Sequence, residues 1–234
     1  MKVRAVAGGG QAVEVEPERV TGWFARFAER HGGVADREVD PELVRVTATD
    51  GATATVAVPF APLVPPDDPR LAVDVLALHL LRPRRIGLLL VRRGGHSVGI
   101  AYDGRIEVSR TDRRLVQGRS AAGGWSQRRF ARRRAGQARD ALRAAAQDAV
   151  EVLAPRVAEL AAVVLGGEAR ALAGLHADPR LADVFALAAS RVLDVGDPRR
   201  AVLDEAARRA RCVEIIVREK HRSGSADSQD PGQD

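Results

Sequence analysis

Gln117-Gly-Arg-Ser-Ala-Ala-Gly-Gly-Trp-Ser-Gln-Arg-Arg-Phe-Ala-Arg-Arg-Arg134 begins as a run of small residues and turns into a basic helix. Gly123 and Gly124 lack a Cβ, so the backbone there can turn sharply and come close to a partner. Ser126 suits a helix N-cap. Gln127 then falls in the first helical turn, beside backbone N–H groups without intrahelical partners, an environment that favours negative charge. Arg119, Arg128, Arg129, Arg132, Arg133 and Arg134 belong to the stretch, with Arg113 and Arg114 just before it. A glycine turn carrying one amide side chain beside a cationic helix suits delivery of that amide to RNA.

Toward the C-terminus, the helix is expected from about 126 to 153. At about 100° per residue, Phe130, Ala131, Ala135, Ala138, Leu142, Ala145 and Ala149 share one side. Arg128, Arg129, Arg132, Arg133, Arg139 and Arg143 spread over the other. The plain reading of that arginine side is a solvated face, yet i,i+4 acidic partners are nearly missing. A short apolar strand follows at 160–165, ending at Gly166-Gly167, and then a helix at 168–175. Residues 180–190 stay open between helix and strand. A strand at 191–195, a helix from Pro198 to Arg211 and a strand at 212–217 complete an alternation that implies parallel pairing.

Toward the N-terminus lies a three-strand meander at 86–93, 96–102 and 105–110. A two-residue turn at Gly94-Gly95 would pair Val91 with Val98 and Leu89 with Ile100. A helix at 71–81 is stopped by Pro83. Residues 61–70 form a proline-rich connector. Residues 44–58 read as a hairpin, and facing decides its register. A three-residue turn, Thr49-Asp50-Gly51, sets Ala48 against Ala52, Val46 against Ala54 and Val44 against Val56. A helix at 19–30 places Val20, Trp23, Phe24 and Phe27 on one side as core. A short alternating piece spans 13–16. Five antiparallel strands thus precede the glycine loop. Residues 1–33 are read as a strand and helix packed on the main domain, 34–221 as that domain, and 222–234 as a tail too polar to fold.

The chain has 234 residues, 45% of them hydrophobic but only 3% aromatic, so the core must be aliphatic and alanine-rich. Its net charge is +6, and 35 of its 37 basic residues are Arg. Such bias can reflect a GC-rich genome, but the placement is local. From Arg113 to Arg143 there are ten Arg and one acid, Asp140, a local +9 that leaves the remainder at −3. A polyanion partner is expected at this stretch. Cys212 is the only cysteine, so no internal disulfide can form. No signal core or membrane-spanning run is present, and a cytoplasmic location is expected.

The usual catalytic players are unimpressive. His31, His79, His96, His176 and His221 are scattered without ligand spacing, so no metal site is expected. Gly8-Gly9-Gly10 is not followed by Gly-Lys-Ser/Thr, and no Gly-x-Ser-x-Gly elbow occurs. No cofactor is implied. The loop must rely on positioning, backbone donors and a neutral amide.

Residues 123–134, Gly-Gly-Trp-Ser-Gln-Arg-Arg-Phe-Ala-Arg-Arg-Arg, resemble the Gly-Gly-Gln loop and following helix in the middle domain of eukaryotic and archaeal class I peptide-chain release factors. The match is closer to Vms-like release factors, stand-alone bacterial relatives of the eukaryotic ankyrin-repeat and zinc-finger peptidyl-tRNA hydrolase. The order of elements is also similar over most of residues 40–220. The resemblance implies an RNase H-like α/β fold with a mixed sheet. It further implies hydrolysis of the ester joining nascent peptide to tRNA, on large ribosomal subunits left by the splitting of stalled ribosomes. Gln127 takes the catalytic glutamine's place, and Gly123 and Gly124 that of the paired glycines. Arg119, Trp125, Ser126, Arg128, Arg129, Arg132 and Arg133 would contact tRNA or ribosomal RNA. The implied partners are the large subunit, peptidyl-tRNA and ribosomal RNA, with no membrane. Trp125 and Ser126 separate the glycines from Gln127, so the reach of the amide must differ from a literal Gly-Gly-Gln. No codon-reading segment is evident, and stop-codon recognition is not expected. A tRNA 3′-end endonuclease and a non-catalytic ribosome- or RNA-binding module are the competing readings.

Overall fold

A computed structural model describes residues 3–92, 94–113 and 125–220, and of residues 113 and 125–134 it describes the backbone alone. The fold is mixed α/β with two sheets, one antiparallel and one mixed. Antiparallel strands come first along the chain and strand–helix alternation later, as expected.

The antiparallel sheet holds β1 (Val3–Ala5), β2 (Gln11–Val15), β3 (Val34–Val39), β4 (Leu43–Ala48), β5 (Thr53–Ala57) and β11 (Val213–Arg218), in the order β1-β2-β11-β5-β4-β3. Val13, Val15, Val44, Val46, Val56, Val213 and Ile215 alternate onto one face. That face is covered by α1 (Val20–Arg30) and α2 (Ala72–Leu81). Phe24 and Phe27 are buried and Trp23 packs against them, which fulfils the expectation of an aromatic core stripe. The hairpin register is the one chosen on facing: Val44 pairs with Val56 and Val46 with Ala54. The Ala48 N–H donates to the Ala52 carbonyl at 2.8 Å, with Gly51 at φ +87° in the turn.

The mixed sheet holds β6 (Arg85–Arg92), β7 (Gly95–Tyr102), β8 (Arg105–Arg113), β9 (Ala162–Gly167) and β10 (Ala188–Leu193), in the order β10-β9-β6-β7-β8. β6 pairs antiparallel with β7 and parallel with β9, and β9 is parallel to β10. Ile86 through Val91 read as an unbroken apolar run because both faces of β6 are covered. On one face Leu89, Val91, Val98 and Ile100 meet α3 (Trp125–Val152), α4 (Ala169–His176) and α5 (Ala182–Ala186). On the other Ile86, Leu88 and Leu90 meet Leu203, Ala206, Ala207 and Ala210 of α6 (Arg200–Arg211).

Several expectations need correction. Val91 pairs with His96 and Leu89 with Val98, two residues away from the predicted register. Arg92 pairs with Gly95, so Gly95 belongs to the strand rather than to the turn, and Gly94 before it has φ +74°. A shift of two keeps every side chain on its face, so facing could not detect it. β1 and β3 were not foreseen. β1 is a three-residue edge strand, and β3 carries Asp36, Arg37 and Glu38 as charged edge strands do. With β2, which contains the alternating piece at 13–16 left out of the expected five, eight strands precede residue 114 among the described residues. β9 and β10 pair in parallel as expected, but β11 runs antiparallel between β2 and β5 in the other sheet. Its alternating Val213 and Ile215 fill the core under α1 and α2, which a strand beside β10 could not do.

Candidate functional site

The helix that carries Gln127 is long, and its C-terminal half packs on the mixed sheet. α3 has 28 residues, about 42 Å of axis. Ala145, Ala146, Ala149 and Val152 are buried on the mixed sheet. Ala135, Ala138, Arg139, Asp140 and Arg143 are exposed. Of the expected apolar side, Phe130 and Ala131 have no described side chain, Ala135 and Ala138 are exposed, and Ala145 and Ala149 are buried. Leu142 marks the transition, half-buried against Gly174 of α4, where an added Cβ would lie 2.6 Å from the leucine side chain. Gln127 stands roughly 27 Å along the axis from Ala145.

Arg119, Gly123 and Gly124 lie outside the described residues, within segment 114–124 between β8 and α3. Trp125, Ser126, Gln127, Arg128, Arg129, Arg132 and Arg133 lie on the first turns of α3, where the backbone is helical. The helix begins at Trp125, so Ser126 sits inside the first turn rather than at the cap. Gln127 lies two residues into the described part of α3.

Polar contacts fix the supported half, and sequence spacing gave no sign of them. His96, the second residue of β7, has a side chain 3% exposed and donates from Nε2 to Asp148 Oδ2 of α3 at 2.8 Å. A carboxylate only accepts, so the hydrogen must sit on Nε2. Arg110 of β8 donates to Asp148 Oδ1 at 3.2 Å and also to Glu151. Gln147 donates to Glu151 at 2.8 Å and accepts from Arg180 at 3.0 Å. At the next position of the same two strands, Ser97 of β7 and Thr111 of β8 share a 2.8 Å bond between their hydroxyls. His96 and Arg110 thus tie α3 to β7 and to β8, the strand that leads into segment 114–124.

Two further features lie elsewhere. His31, Asp50 and Glu219 bring one ligand atom each within 4.8 Å of one another, a grouping that could hold a metal ion. Their spacing in sequence hid it. His31 is buried and its Nδ1 lies 2.8 Å from Asp50 Oδ2, which fastens the β4–β5 turn to the end of α1, whereas the two carboxylates are largely exposed. A cleft of about 1090 Å³ separates β10 from the outer face of the antiparallel sheet. Glu14 of β2 crosses it to accept from Arg209 Nε at 3.0 Å and from Arg191. Burial works to raise the Glu14 carboxyl, but the two guanidiniums outweigh it and hold the carboxyl below its ordinary value. Burial and Glu14 push the neighbouring Cys212 thiol up to about 11. Among the described residues no helix is long and apolar enough to cross a membrane.

The family described as acVLRF1, the Actinobacteria/Chloroflexi VLRF1 release factors, has a model that matches residues 84–216. That interval runs from the residue before β6 almost to the end of β11 and includes all of α3. No curated protein matches. Among solved structures, an archaeal translation termination factor, aRF1, aligns at 13% identity and a TM-score of 0.41 over 85% of this chain and 63% of its own. An archaeal protein aligns at 17% and 0.38 over 69% and 48%. Dom34 of S. cerevisiae, a translation termination-like factor involved in RNA quality control, aligns at 9% and 0.33 over 88% and 66%. The chain spans less than two thirds of the length of each.

Proposed function

The chain belongs to the acVLRF1 family of release factors, and from that premise we propose that it hydrolyses the ester between nascent peptide and tRNA on large ribosomal subunits split from stalled ribosomes. The observation that carries this reading is the placement of α3. Its first turn bears Gln127, it follows a segment containing Gly123 and Gly124, and it lies wholly inside the matched interval. The strand order of the mixed sheet supports an RNase H-like architecture. Numbered along the chain from β6, it reads 5-4-1-2-3, with only the second strand running against the others.

The substrate brings its own reactive ester, and the ribosome brings a water-poor site. The protein's task is to orient one water and to stabilise charge on the carbonyl or the departing ribose oxygen. Gln127 does this through its side-chain amide or its backbone N–H at the positive end of the helix. Gly123 and Gly124 let the loop approach closely. Arg119, Arg128, Arg129, Arg132 and Arg133 grip phosphates of the acceptor stem or ribosomal RNA through the guanidinium fork. Trp125 stacks on a base, with Ser126 beside it.

The test is incubation of wild type and Gln127→Ala with purified large subunits carrying peptidyl-tRNA, mapping both product ends. Loss of one oxyanion-type donor costs about 3–4 kcal/mol, so release should fall roughly a hundred- to thousand-fold while subunit binding persists. Release at the parent rate would remove Gln127 from the chemistry. A shortened tRNA 3′ end would mean a nuclease, and binding without turnover a non-catalytic module.

A further inference from the structure

We propose a second RNA-phosphate contact, built by Arg82, Arg84 and Arg105 at the end of the mixed sheet remote from the start of α3. This inference rests on the reading above that the chain works against ribosomal RNA.

The sheet topology gathers these residues. β6 begins at Arg85 and β7 ends at Tyr102, its pairing partner, while Tyr102 also pairs with Arg105 at the start of β8. The Asp103 N–H donates to the Arg84 carbonyl at 3.2 Å, which joins the α2–β6 connection to the β7–β8 turn. The acids at this end are already taken. Asp103 pairs with Arg211 at 3.1 Å, and Glu107 and Glu159 both pair with Arg85, at 2.7 and 3.2 Å. No described carboxylate forms an ion pair with Arg82, Arg84 or Arg105.

Arg84 is the informative member. Its Nη1 donates to the carbonyls of His79 and Arg82, at 2.7 and 3.1 Å, and its guanidinium sits 4.9 Å from the centroid of the Phe60 ring. Its Nη2 lies 3.2 Å from His79 Nε2, but that nitrogen is also 2.9 Å from the Pro59 carbonyl. A carbonyl only accepts, so Nε2 carries its hydrogen toward Pro59 and cannot accept from Arg84. Burial, and next the positive charge of Arg82, push the Arg84 pKa down. A half-buried cation beside a like charge, with an unspent donor, is relieved by an anion.

A polymer fits better than a small ion. Arg82, on the α2–β6 connection, and Arg105, at the start of β8, are both exposed, and Tyr102, 45% exposed, adds an aromatic surface 5.5 Å from the Arg85 guanidinium. Repeated phosphates with a sugar or base between them match that spread. The length of β8 alone sets this end about 26 Å from the start of segment 114–124. One large RNA can occupy both ends at once.

The experiment uses the full chain and protein-free large-subunit ribosomal RNA, with binding followed across a salt series. Arg82→Gln plus Arg105→Gln is compared with Arg26→Gln plus Arg30→Gln, exposed arginines of α1 without ion pairs. Losing two phosphate contacts should lower the slope of log K against log salt by about 1.8, and the α1 pair should leave it unchanged. An unchanged slope for the first pair overturns the proposal. So does a defect seen on intact subunits but not on the RNA, which would assign this end to an acidic protein. If the slope falls but no peptide is ever released, the contact stands and the hydrolase reading fails. If peptide is released and the slope does not move, only the contact fails.

Discussion

Removing the Asp148 carboxylate should loosen the mount of α3 and be felt at its far tip. In Asp148→Ala the His96 Nε2–H loses its acceptor while 3% exposed, and a buried donor left without a partner costs about 1–3 kcal/mol. Arg110 keeps Glu151, and Ala145, Ala149 and Leu153 stay buried, so the helix should remain folded on the sheet. Asp148 lies 21 residues beyond Gln127, roughly 31 Å along the axis. A tilt of about 10° at the mount would then move Gln127 by about 5 Å, where a misplacement of about 1 Å already costs on the order of a hundredfold in rate. Spin labels at the exposed positions Ala138→Cys on α3 and Ala201→Cys on α6, in a Cys212→Ser background, read the tilt without reference to activity. The distance distribution should broaden in Asp148→Ala and stay narrower in Asp148→Asn, whose amide oxygen still accepts from His96. Peptide release should fall through kcat, with KM for the subunits nearly constant. An unchanged distribution together with unchanged release would refute the reasoning and reduce the His96–Asp148 bond to a contributor to stability alone.

Gly167→Ala should destabilise the fold by about 3 kcal/mol or more, since φ is +108° and a Cβ would lie 2.0 Å from the Val91 carbonyl oxygen. Chemical denaturation measures this, and a loss under 1 kcal/mol, on the order of a surface change, would contradict the geometry. His79 gives a pH signature. Its pKa is lowered from 6.5, chiefly by burial and then by Arg84 and Arg82 against the opposing Pro59 carbonyl. The unfolded chain therefore takes up a proton below about pH 6.5 that the folded chain resists. Stability from this group is full above that pH and is lost as pH falls toward the folded value. Thermal melts should show a decline between roughly pH 6.5 and 5 that is shallower in His79→Gln; parallel curves would rule the assignment out.

The sequence was legible wherever one side of an element had to be apolar. The α1 stripe, the 44–58 hairpin and the buried β6 followed from periodicity because their cores impose it. Reading failed where nothing apolar was at stake. β3 is charged and lies at an edge. The β6–β7 register is degenerate under a shift of two. β11 could satisfy its alternation in either sheet, and only the gap between β2 and β5 decides. At the candidate site, composition and the 123–134 motif marked the tip of α3. Its mount escaped notice because His96, Arg110 and Asp148 converge from three elements and carry no spacing rule.

β11 sits in the middle of its sheet, with Val213 paired to Val15 and Ile215 to Val56. During synthesis β1 to β5 must therefore wait, the β2 and β5 borders uncapped, until residues 213–218 have left the exit tunnel. Closing a loop of about 200 residues makes that last insertion slow. Truncation just before Val213 should leave two separate ribbons with sticky flanks, prone to associate with neighbouring copies.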